Sequence, residues 1–188
     1  MTRNSVLFTT VGQLSLFIFL FISFLLTPHF LLSTNEGGVS NYGLYAKTVV
    51  PYTLGLGLCG VLTIISAHYL PRKVRSYKTL KWSITILGVL YLIILFSTYP
   101  YKINATFNAI HIWAGFSLLL AEMIIGSWFG FRINPDRKNL GLLVLLYLGL
   151  SVGVITFFGL VHALFICQLI IAVAFGVLLI RTTKALVA

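Results

Sequence analysis

Asn104, Asn108, His111, Gly115, Glu122 and Gly126 follow one another at intervals of 4, 3, 4, 7 and 4 residues within a run that is otherwise apolar. At 100° per residue a helix gathers all six into an arc of roughly 60°, so amides, an imidazole and a carboxyl form a narrow stripe down one face. Such groups can hydrogen-bond a ligand or pass a proton. The same spacing also suits close helix packing, because glycines recurring every few residues let backbones approach one another. Glu122 tips the balance toward function. A carboxyl group among acyl chains costs several kcal/mol, at least about 2.5 by the lower scales, so its side of the helix is expected to face the protein interior.

A second set comes from the ends of the apolar runs. His29 closes the first, His111 opens the fourth and His162 opens the sixth, which places three imidazoles at one level. With Glu36 and Asn41 from the long first loop, and with Asn104 and Asn108 from the fourth run, they outline an outward-facing polar pocket expected to bind a ligand, and Glu122 is expected to tune the interior beneath it. Three histidines and a carboxylate would suffice for zinc if they converged. Nothing in their spacing requires convergence, so a hydrogen-bonded pocket is the reading and no metal or other cofactor is expected. His68 lies at the opposite end, leaving no histidine pair at mid-depth for haem. Phosphate-binding glycine loops, nucleophile triads and the His-Glu-x-x-His zinc signature are all missing from the sequence.

The elements that must carry these residues are membrane spans. Of 188 residues 59% are hydrophobic and 9% charged, against about 25% charged in a soluble domain. Six apolar segments, 6–32, 49–70, 82–98, 104–131, 140–158 and 161–181, make an all-α, six-transmembrane-helix bundle in one domain covering 1–188. The last two come from one apolar run, 140–180, which as a single helix would reach about 60 Å, twice the hydrocarbon thickness. A reversal is expected between Thr156 and His162. The first run is too long for a signal peptide, whose apolar region has roughly 7 to 15 residues.

The net charge of +10 is read as topology. Eleven of 13 lysines and arginines fall on the side of the termini, and only Lys47 and Lys102 on the other. That asymmetry predicts cytoplasmic termini and an external first loop; the expected location is the cytoplasmic membrane of a prokaryote. No nucleic-acid partner is expected. Membrane lipids are, together with a homo-oligomer or a larger membrane complex as further partners. Tyr52, Gly55, Cys59, Thr63 and Ser66 form a small and polar stripe on helix two, expected to pack on helix four and bring Thr63 or Ser66 near Glu122. Gln13 is another candidate donor. Cys59 and Cys167, both inside spans, read as packing residues.

The layout, the loop ending Val39-Ser40-Asn41-Tyr42-Gly43, the glycines Gly55, Gly57 and Gly60, and Ile110-His111 opening helix four resemble the DRAM-like and Frag-like six-helix membrane proteins and their prokaryotic relatives. The resemblance implies a six-helix bundle associated with lipid. In the prokaryotic relatives an acidic residue often stands where this chain has Asn41, and no enzymatic activity is implied. Function is therefore expected to be the binding or moving of a lipid headgroup or small amphiphile. An accessory subunit and a metal-dependent membrane hydrolase are the alternatives.

Overall fold

A computed structural model describes residues 2–28, 38–74, 76–99 and 103–187. Its helices are α1 (Thr2–Leu26), α2 (Val49–His68), α3 (Tyr77–Thr98), α4 (Ala105–Trp128), α5 (Arg137–Phe157) and α6 (Leu164–Val187). All six are long and apolar enough to cross a membrane. The chain is an all-helical, integral membrane protein. A short 3-10 helix, Val39–Leu44, precedes α2, and a π-helical turn, Phe129–Ile133, prolongs α4.

Local chemistry sets the ends. Asn104 caps α4 by accepting from the backbone N–H groups of Thr106 (2.9 Å) and Phe107 (3.3 Å). Asp136 does the same for α5 through Asn139 N–H (2.9 Å). That bond, with the Arg181 guanidinium at 2.6 Å, holds the Asp136 carboxyl below the usual carboxylate range. The expected reversal between α5 and α6 is built on Gly159, whose φ of +72° only glycine adopts freely. Gly159 N–H donates to Thr156 O and Leu160 N–H to Ile155 O, the paired bonds of a Schellman stop. Helix three begins at Tyr77, five residues before Trp82, because the Ser76 turn and not the last basic residue starts it.

Consecutive helices lie side by side around the bundle, and α6 returns to α1. Helix two accordingly packs between α1 and α3, which corrects the expected contact with helix four. Its glycines and small side chains explain the choice. A side chain at Gly55 would strike Phe19 Cβ at 2.8 Å, and Ser5 Oγ donates to Ser66 O at 3.0 Å, so the stripe is filled by α1. Its neighbouring face at Gly60 meets Gly88 of α3, backbone against backbone.

We call the end of the bundle that carries the termini proximal and the other end distal. One apolar cluster, including Leu80, Leu87, Ile125, Phe129, Leu146, Phe175 and Leu178, fills the proximal half. Around α4 the ring closes there alone. Gly126 abuts Leu146 of α5 and Leu178 and Phe175 of α6, while Gly115, on the same stripe, has nothing within 4 Å of where its Cβ would stand. The distal halves of α4 and α6 are splayed.

Candidate functional site

The splay leaves a cavity of about 440 Å³ in the distal half, within the size range of small-molecule sites. Its walls are mainly apolar, with Leu16 and Leu20 from α1, Leu56 from α2, Ile94 from α3 and Leu118 and Leu119 from α4. Two polar levels interrupt them. Along α4, eleven residues separate His111 from Glu122, so the levels stand roughly 16 Å apart.

The deeper level is Glu122 with Tyr91. Both are buried, Glu122 at 3% exposure, and both line the cavity. Tyr91 Oη–H donates to Glu122 Oε1 at 2.7 Å. The stripe on α4 thus faces inward as its carboxyl requires. The donor is the phenol of α3, whereas Gln13 donates instead to Cys59 Sγ at 3.4 Å. Thr63 and Ser66 belong to the α1–α2 side of the bundle, and Ser66 Oγ donates to Thr63 O.

The distal level is organised by His111. Its Nδ1 lies 3.0 Å from Ser97 Oγ and its Nε2 2.9 Å from Ser40 Oγ. Ser97 also donates to Ile94 O at 3.0 Å, which commits its proton, so the pattern assigns the hydrogen to Nδ1 and leaves Nε2 accepting from Ser40 in the neutral ring. Ser40 belongs to the 3-10 helix, which lies across the cavity as a roof. Val39 N–H donates to Gln168 Oε1 of α6 at 2.7 Å, and Thr48 Oγ1–H donates to Tyr42 O at 2.7 Å. Tyr42 is fully buried and meets Phe165 edge-on, with ring centroids 5.7 Å apart. Burial pushes its phenol up to about 12, so the roof stays uncharged near neutral pH.

Gly43, within this roof, lies close against α2 and α3 because it has no side chain. A Cβ there would stand 2.5 Å from Thr98 Cγ2 and 2.8 Å from Tyr52 Cε1. Gly43→Ala is expected to lift the 3-10 helix at a cost of about 1 to 3 kcal/mol, typical of overpacking. Chymotryptic cleavage at Tyr42 or Tyr45 should quicken in the folded protein, and an unchanged rate would show that the roof does not depend on this fit.

Comparison with protein-family models, with curated proteins and with solved structures found no match. The site is therefore read from its own residues.

Of the residues singled out in the sequence, Asn108, His111 and Glu122 line the cavity. Asn41 is buried within the roof but does not line it, and Asn104 is spent on capping α4 at the exposed distal rim. His162 is exposed in the turn before α6 and also lies off the cavity, since the splay carries that turn away from α4. His29 and Glu36 lie outside the described residues. Among the described residues no three histidine, cysteine or acidic side chains are placed to hold one metal ion.

Sequence reasoning missed Tyr91, Ser40, Ser97 and Gln168. Gln168 did carry a signal, being one of only two glutamines in the chain, both within apolar runs where a carboxamide needs an internal partner. On the rim, Ile112 and Phe116 line the cavity while more than half exposed. They face the half-buried Leu164, Gln168 and Ala172 of α6 across the gap. The cavity thus opens between α4 and α6.

Proposed function

We propose that this integral membrane protein binds or moves a lipid headgroup or small amphiphile, taken from the surrounding bilayer into the distal cavity. The single observation that carries the reading is the cavity itself, apolar along its length, polar at two levels and open sideways between α4 and α6. An amphiphile entering from the membrane meets walls like its own tail, and polar groups at two levels, Asn108, His111, Ser40 and Gln168 at one and Glu122 with Tyr91 at the other, can hold its polar end. The excess of basic residues at the proximal end supports an orientation with the termini in the cytoplasm and the cavity in the external leaflet of a prokaryotic plasma membrane. The residues behind the DRAM-like and Frag-like resemblance, Asn41-Tyr42-Gly43 and His111, belong to the roof and the distal level of the site, which supports that lineage as a proposal.

The test is extraction of the protein in its native lipid, followed by mass spectrometry of what it retains. His111→Ala and Glu122→Gln are each expected to change the retained amphiphile severalfold while the circular dichroism of the bundle stays unchanged. Identical retention by both variants and the parent would remove this function.

A further inference from the structure

The cavity holds one carboxyl group and, among the described residues that line it, no lysine or arginine. The described lining therefore offers no lysine or arginine countercharge for a phosphate or carboxylate drawn into it. Glu122 is in the opposite position. Its Oε1 accepts from the Tyr91 phenol, a neutral donor, and the side chain still borders the cavity. A buried carboxyl without a charge partner either keeps its proton or holds a cation, because neither a phenol nor apolar walls replace the water a carboxylate has lost. The described residues that line the cavity supply no such partner, and the space bordering Glu122 is where a cation would sit. The aromatic rings of Tyr52, Tyr91 and Phe116 also line the cavity, and such faces attract cations more than anions.

We propose that the ligand is a single-chain amphiphile bearing an ammonium group, held with the cation against Glu122 and its chain along the wall from Leu16 to Leu119. This rests on the reading of the cavity as an amphiphile site and names its chemical class. Head-in binding follows from where the charge is. The distal level, with its serines, amides and imidazole, then meets the far part of the chain or a neutral polar end.

The test uses full-length protein in phosphatidylcholine nanodiscs, with dodecyltrimethylammonium, dodecanol and dodecanoate as probes of one length and three charges. Binding is read by native mass spectrometry. The parent protein is expected to prefer the ammonium over the alcohol by about tenfold or more, as a coulombic pair with the Glu122 carboxylate in a dry site should, and to reject the carboxylate. Glu122→Gln is expected to abolish the preference while the alcohol still binds. Gly115→Leu, whose Cβ would have nothing within 4 Å and whose branches add bulk to the cavity lining, is expected to weaken all binding. If the alcohol binds as well as the ammonium, or Glu122→Gln keeps the preference, and Gly115→Leu still blocks binding, the ammonium assignment is overturned and the cavity reading stands. If Gly115→Leu changes nothing, or no probe binds, the cavity reading falls and takes this inference with it.

Discussion

Gly88→Val is expected to separate α2 from α3 and to give the largest loss of stability of any single change described. A Cβ at Gly88 would stand 2.7 Å from the carbonyl oxygen of Gly60 and 2.6 Å from Ile64 Cγ1, with Ile64 N at 3.1 Å. Two of those three atoms are backbone, so no rotamer change relieves the contact and the helices must move apart. Overpacking costs about 1 to 3 kcal/mol where side chains can yield, and this site belongs at the top of that range or beyond it. Membrane helices depend on such close approach, because the surrounding acyl chains are as apolar as the helices themselves and packing has to hold them together. Thermal unfolding in detergent, followed by size-exclusion chromatography, should show early aggregation. A variant that unfolds at the parent temperature would mean that the Gly60–Gly88 contact is not the hinge of the α2–α3 pair.

Tyr91→Phe is expected to destabilise the bundle by about 1 to 3 kcal/mol, the usual consequence of leaving a buried polar group without its partner. The ring still packs in the distal apolar cluster, so the whole effect belongs to the hydroxyl. Coupling decides between this account and a general packing defect. In a Glu122→Leu background the carboxyl that needed the phenol is gone, and the same Tyr91→Phe change should cost almost nothing. A double-mutant cycle should therefore give an interaction energy of about 1 kcal/mol or more, and effects that add within about 0.5 kcal/mol would sink the Tyr91–Glu122 bond as a stabilising contact.

The spans were legible because apolar runs long enough to cross a bilayer have few other uses, and Gly159 announced where the longest of them turns back. Glu122 was legible for the same reason, since a carboxyl cannot cheaply face lipid. Its partner was not. Hydropathy gives the depth of a residue but not which helix stands beside it, so Gln13, Thr63 and Ser66 stood as candidates and Tyr91 went unnoticed. Once α3 is seen to lie between α2 and α4, only its own side chains can reach Glu122 from that direction. The roof was hidden for another reason. Residues 33–47 have the polar and glycine-rich composition of a loop, and nothing local reveals that Tyr42 is buried beneath α6 or that Ser40 reaches His111. His162 stands off the cavity that His111 lines, because equal depth along two helices does not make their residues neighbours. Helices can share a level and still diverge, as α4 and α6 do.

The closure around Gly126 has a consequence for traffic. At the proximal end α4, α5 and α6 interlock through Leu146, Phe175 and Leu178, and the Asp136–Arg181 pair, backed by Asn139, ties the start of α5 to α6. On the amphiphile reading, a guest entering beside Phe116 is expected to leave by the same gap, since α4, α5 and α6 meet around Gly126 at the other end. Passage onward would require parting that contact, so the reading favours holding a guest over carrying it across.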